Sequence, residues 1–340
     1  MTEITTLDSL REHLQRAIEL EHATIPPYLC ALYSIVPGTN AESTDVIRTI
    51  VVEEMIHLTL AANVLNAVGG SPVVDSPDFL APYPAALPNS DHEFVVPLSR
   101  FAPSTIATFM RIEKPEASGA PPEADRFETI GQFYEAVEIA LRALCDELGE
   151  GAVFTGDPAR QVRPEMLRYD GDGPIVVVSD LASALRALNE IEEQGEGLHH
   201  DEVWSGERDI FHPERDEVAH YFRLCEIVHG RLYQRGDTPQ SGPSGERFSV
   251  DWDAVYPMRD NPSTSDYPEG SPERELMLAF NRLYTNVLGQ LHGAFNGAPA
   301  TIGPVVGAMM DLRKAARELM MTPNGDGVTT VGPSFEYARG

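Results

Sequence analysis

From about Leu7 to Ile35, apolar residues recur three and four positions apart: Leu7, Leu10, Leu14, Ala17, Ile25 and Tyr28. That period predicts one long helix with a buried stripe. Pro26 and Pro27 interrupt the run. Each removes a ladder hydrogen bond, so a kink or local opening is expected there. A second stripe of Ile50, Glu54, His57, Ala61, Val64 and Leu65 predicts a helix over about 43–68, stopped by Gly69-Gly70. Similar periodicity predicts helices at about 103–111, 129–148, 179–197, 213–235, 272–295 and 303–321. Residues 71–104 and 236–270, dense in Pro, Gly, Ser and Asp, read as long loops. Residues 150–178 read as irregular, with Pro174–Val178 as a short strand.

This order predicts an all-α chain read as one domain over 1–340. Four bundle helices lie at about 7–35, 43–68, 179–197 and 213–235. The first two are closely joined, and a crossover at 70–178 separates them from the second pair. Two antiparallel pairs with a long crossover form a ferritin-like four-helix bundle. Extra helices over 271–322 and long irregular loops complete it.

Polar residues on the apolar stripes change the picture. Glu54 with His57, and Glu217 with His220, are Glu-x-x-His pairs, whose members share a helix face. Two such pairs, plus one Glu from each of two other helices, make the ligand set of a dinuclear carboxylate site. The pair alone is weak evidence. Five histidines (His22, His57, His199, His220 and His229) have a Glu three residues earlier, where chance gives about one. Facing separates them. Glu54 and His57 align with Ile50, Ala61 and Leu65. Glu217 and His220 align with Leu224 and Val228. Glu19 and His22 group with Glu12, Gln15 and Arg16 on a solvent face, and Glu226 falls off the inward stripe.

Glu21 occupies an inward position where an apolar residue is expected, and a buried carboxylate requires a partner or a metal. On the fourth helix the residue stays open. Helical phase after Leu181, Leu185, Leu188 and Ile191 favours Glu192 or Glu196; similarity between Glu21-His-Ala-Thr and Glu193-Gln-Gly-Glu196 favours Glu193. Glu193 and Glu196 are carried together, Glu192 is read as solvent-facing, and His199 either joins the site or caps the helix end. The expected metal ligands are therefore Glu21, Glu54, His57, Glu193, Glu196, Glu217 and His220. Carboxylates with imidazoles suit two iron ions, with manganese as the alternative. No residue is singled out as catalytic.

Composition narrows the partners. Lys and Arg total 25 against 53 Asp and Glu, a formal charge of -28. That field repels nucleic acid and anionic membrane surfaces. Cys30, Cys145 and Cys225 form no CxxC pair, so reduced thiols in the cytoplasm are expected. No secretory signal is read at the start, and no apolar run approaches the roughly 20 residues of a membrane span. No phosphate-binding GxxxxGK, GxGxxG or GxSxG motif occurs.

Several segments resemble the ferritin-like family of iminophenyl-pyruvate dimer synthases, which includes a domain of the chromopyrrolate-type synthases. They are Leu20-Glu-His-Ala-Thr-Ile-Pro-Pro-Tyr28, Glu53-Glu-Met-Ile-His57, Glu193-Gln-Gly-Glu-Gly197, Glu217-Val-Ala-His-Tyr-Phe-Arg223, Phe295-Asn-Gly297 and Gly332-Pro-Ser-Phe-Glu336. The resemblance implies a metal-binding ferritin-like fold and oxidative coupling of aromatic imines derived from amino acids. Dioxygen and a small organic molecule are then the expected partners, with assembly state open. A ferroxidase and a metal-stabilised structural module are the alternatives. The loops at 71–104 and 236–270 suit pocket walls better than a compact cage subunit.

Overall fold

The computed structural model describes residues 4–88, 90, 95–115, 120–167, 175–196 and 202–338, with the side chain of Glu196 excluded. Helix α1 spans Leu7–Ser34, and the Thr6 hydroxyl caps it by accepting the Ser9 N–H at 3.1 Å. Pro26 and Pro27 lie inside a continuous helix. Pro27 cannot donate to the Ala23 carbonyl, which instead accepts the Tyr83 hydroxyl at 2.9 Å. The ladder bond lost at Pro27 is thus made good by a side chain from outside the helix. Helix α2 spans Ala41–Ala67. It stops where Gly69 takes a φ of +78° and the Gly70 N–H closes on the Leu65 carbonyl at 2.9 Å.

The crossover holds α3 (Pro103–Ile112), α4 (Ile130–Leu148) and the single turn α5 (Glu150–Val153). Helix α6 (Leu181–Glu196) packs on α2 and α4, and α7 (His220–His229) on α2 and α3. Helices α8 (Pro272–Phe295) and α9 (Ile302–Met321) form the C-terminal pair, as the periodicity predicts. One buried apolar cluster runs from Ile4 to Phe335 and includes residues of α1, α2, α4, α6, α8 and α9. By length and composition α2 alone among the described residues could span a membrane, yet 89% of its most apolar window is buried in the fold.

Three expectations are corrected. The helix expected over 213–235 begins only at His220. Residues before it form an antiparallel hairpin of β1 (Trp204–Arg208) and β2 (Asp216–Val218). In its connection, Asp209 accepts the N–H groups of Phe211 and His212 at 2.8 and 2.9 Å, a turn that competes with helix formation. Glu217 is therefore a strand residue. Second, the described part of the expected strand at 174–178 pairs with side chains, not with another strand. The Val178 N–H and carbonyl bond to Gln161, and the Val176 carbonyl to Asn63. Third, His22 is buried, with its Nε2 hydrogen-bonded to the Tyr284 hydroxyl of α8. The added C-terminal helices cover what a two-pair bundle would leave in solvent.

Asn63 ties the crossover to the bundle. Its amide donates to the Val162 and Val176 carbonyls at 2.8 and 3.0 Å, and its oxygen accepts the Val162 N–H at 2.9 Å. Replacement by Ala leaves these groups without partners, costing about 1–3 kcal/mol for each buried one. A lowered urea midpoint for Asn63→Ala is the expected result.

Candidate metal centre

Five side chains converge where α1, α2, α3 and α7 meet. Glu21, Glu54 and His57 form one group able to hold a metal ion, and Glu54, Glu113 and His220 form a second. Glu54 belongs to both. All five are buried. The His57 Nδ1 lies 3.4 Å from Glu21 Oε2 and 4.0 Å from Glu54 Oε1. The His220 Nδ1 lies 3.1 Å from the same Glu54 oxygen and 3.4 Å from Glu113 Oε2. The two imidazoles face each other with centroids 5.5 Å apart.

Each imidazole is oriented from behind. His57 Nε2 is 2.8 Å from Gln194 Oε1, and His220 Nε2 is 3.0 Å from Glu53 Oε2. Both partners are acceptors, so each Nε2 donates and each Nδ1 keeps a lone pair directed at the carboxylates when the ring is neutral. This is the tautomer a metal-ligating histidine needs, with its other nitrogen held by a carboxylate or amide. The His220 Nδ1 is buried and lacks a hydrogen-bond partner. No Lys or Arg is found among the described residues lining the cavity between these groups. Three carboxylates converging in a dry site are stabilised by protons or by cations, and oxygen donors with imidazole nitrogens fit iron or manganese.

The cavity measures about 20 Å³, room for about one water-sized body. Ile112, Ile130, Ile191, Gly131 and Gly195 complete its wall with Glu192. Glu192, read from sequence as solvent-facing, thus faces the centre, while Glu193 is absent from the lining. Ile191, Glu192 and Gly195 fall on one face of α6. The side chain of Glu196, and His199, lie outside the described residues.

Glu217 is also buried but stands apart. Its Oε2 accepts the Ser205 hydroxyl at 2.6 Å, and its Oε1 is 3.8 Å from Arg223. It joins neither metal-holding group. Burial and the Glu53 charge push its carboxyl up to about 10, so it keeps a proton at neutral pH. Burial acts to raise Glu53 as well, yet the hydrogen bond to His220 and the Arg223 guanidinium hold it at about 2. Arg223 is itself fixed by Asp209 at 2.9 Å and the Val218 carbonyl at 2.8 Å. Val228, expected on the inward stripe, is 51% exposed, whereas Glu226 is buried and accepts the Tyr233 N–H at 2.7 Å.

Sequence reasoning missed Glu113, which caps the C-terminus of α3. The signal was present: it continues the buried stripe of Ile106 and Phe109 by one helical step, as Glu21 continues its own.

Burial, then the Glu113 charge, push the Glu54 carboxyl up to about 7. Burial opposes the charged forms of His57 and His220, but Glu21 raises His57, and Glu113 with the other carboxylates raises His220 further. Without metal, the folded chain therefore binds more protons than the unfolded chain from the ordinary Glu value of 4.5 up to about 7. Stability of the metal-free chain accordingly falls as pH rises through that window. Glu53 acts in the opposite sense only below 4.5, and buried His22, lowered to about 3, opposes the trend up to 6.5, but the raised carboxyls of Glu190, Glu217 and Glu226 act with Glu54 and outweigh it. Urea unfolding after chelation, at about pH 5 and about pH 7.5, tests this; greater stability at the higher pH contradicts it.

The Ferritin-like family model matches residues 14–229 of this chain. The chain is 25% identical to dichlorochromopyrrolate synthase of Lentzea aerocolonigenes over 98% of its own length. It spans 36% of that relative. A crystal structure of a ferritin-like protein from Caulobacter vibrioides superposes with a TM-score of 0.66 at 22% identity, covering 99% of this chain and 100% of the other. The structural likeness shows the fold. The sequence match, which runs from within α1 to the end of α7 and includes every residue of the centre, shows the lineage: the chain belongs to the ferritin-like family.

Proposed function

We propose that this protein is a non-haem dinuclear metal oxidase or oxygenase, with two iron ions, acting on a small organic substrate with dioxygen. The observation that carries the reading is Glu54 Oε1, which faces the Nδ1 atoms of both histidines while Glu21 and Glu113 flank it. In this reading Glu21, Glu54 and His57 hold one ion, and Glu54, Glu113 and His220 hold the other. Bound iron supplies the electrons that activate dioxygen. The chain's residues do the rest. Glu53 and Gln194 fix the histidine tautomers, and Glu192 supplies a further carboxylate at the cavity wall.

Ile112, Ile130 and Ile191 form an apolar rim that keeps bulk water from the centre. The cavity itself suits dioxygen-sized bodies, so the organic substrate meets the centre at this rim. The relationship to a dichlorochromopyrrolate synthase supports an aromatic, amino-acid-derived imine as substrate and oxidative coupling as the reaction. Three free, buried cysteines agree with a reducing cytoplasm.

Elemental analysis of purified protein tests the ligand set. The wild type binds two metal ions per chain in this reading. Glu54→Ala loses both, Glu113→Ala or His220→Ala loses one, and Glu217→Ala keeps both. Dioxygen uptake after anaerobic Fe(II) loading then tests the activity. Uptake that depends on an added organic compound is expected. Rapid uptake with iron alone replaces this reading with a ferroxidase.

A further inference from the structure

Each of the three carboxylates in the centre has one oxygen engaged by a hydroxyl. Tyr134 donates to Glu21 Oε1, and Tyr28 donates to Glu113 Oε1. The Thr24 hydroxyl lies 2.6 Å from Glu54 Oε2 and 2.7 Å from the Glu21 carbonyl. Its single proton favours the charged acceptor. In every case the other carboxylate oxygen faces an imidazole Nδ1: Glu21 Oε2 faces His57, Glu113 Oε2 faces His220, and Glu54 Oε1 faces both.

We propose that Thr24, Tyr28 and Tyr134 are positioning residues that set the denticity of the metal centre, leaving one oxygen of each carboxylate for the ions. Glu21 and Glu113 would then offer an ion Oε2, and Glu54 would offer both ions Oε1. This rests on the two-ion reading above. A free carboxylate has two oxygens and can chelate. A charge-assisted hydrogen bond in a dry interior holds one of them back, since releasing it also orphans a buried hydroxyl. The donors are rigid. Tyr28 packs edge-on against Phe109 with centroids 4.4 Å apart, and Tyr134 against Phe133 at 5.4 Å. Glu21, Glu54 and His57 would hold one ion and Glu54, Glu113 and His220 the other.

Cobalt(II) tests this without reference to turnover, because its visible absorption weakens as coordination number rises. The full-length chain, stripped by chelation and titrated with Co(II), is expected to bind two ions and show an intense visible band. Tyr28→Phe and Tyr134→Phe keep the ring packing and release one carboxylate oxygen each. Both variants should still bind two Co(II) but lose band intensity. Thr24→Val should do the same, and Thr24→Ser should restore the wild-type band. Two bound ions with undiminished bands in both Phe variants overturn the proposal. If circular dichroism shows that a Phe variant has not folded, the Thr24 pair decides, and equal bands in Val and Ser overturn it. Fewer than two ions in the wild type overturns the two-ion reading itself, and this inference with it.

Discussion

Glu21, Glu54 and Glu113 place three carboxylates in one dry space, and much of this structure follows from what that demands. Carboxylates that close repel one another and lose their hydration. Protons can relieve part of this, as the raised Glu54 and the raised histidines indicate. Two cations would relieve it more fully, because they would replace the lost solvation and turn repulsion into attraction. The four helices that deliver these side chains are thereby coupled: α1, α2, α3 and α7 each contribute at least one group to the same few ångströms.

Behind the centre lies a second polar layer that keeps the first in place. Glu53, Arg223, Asp209 and Glu217 form a buried network in which the guanidinium keeps Glu53 ionised and Glu217 retains its proton. Glu53 can then accept from His220 without adding an unpaired charge to the core. On the other side, Gln194 joins His57 to Glu190, whose carboxyl burial pushes up to about 7. The neutral or compensated character of this layer lets five ionisable groups in the centre be fully buried. Ile112 of α3, Ile130 of α4 and Ile191 of α6 supply the apolar wall around it.

The bundle was readable because long helices carry strong periodicity, and Glu21, Glu54 and His57 each interrupt an apolar stripe at a position that burial makes costly. Those interruptions survive into the fold as one of the two groups able to hold a metal ion. The second Glu-x-x-His pair misled for a physical reason. Spacing places Glu217 and His220 on one face only if the segment is helical, and the Asp209 turn with the β1–β2 hairpin overrides that period. Glu113 escaped notice because it ends a short helix inside a segment read as crossover. The burial of His22 depends on α8, where Tyr284 lies 262 residues away in sequence, and no local pattern could reveal it.

Anomalous diffraction from a crystal of the metal-loaded chain, collected at the edge of the bound metal, tests the central claim most directly. The account predicts two peaks flanking Glu54 Oε1, one beside Glu21 and His57 and the other beside Glu113 and His220, with Glu217 outside the coordination sphere. A single peak, or a second ion held by Glu217 in place of Glu113, would contradict it.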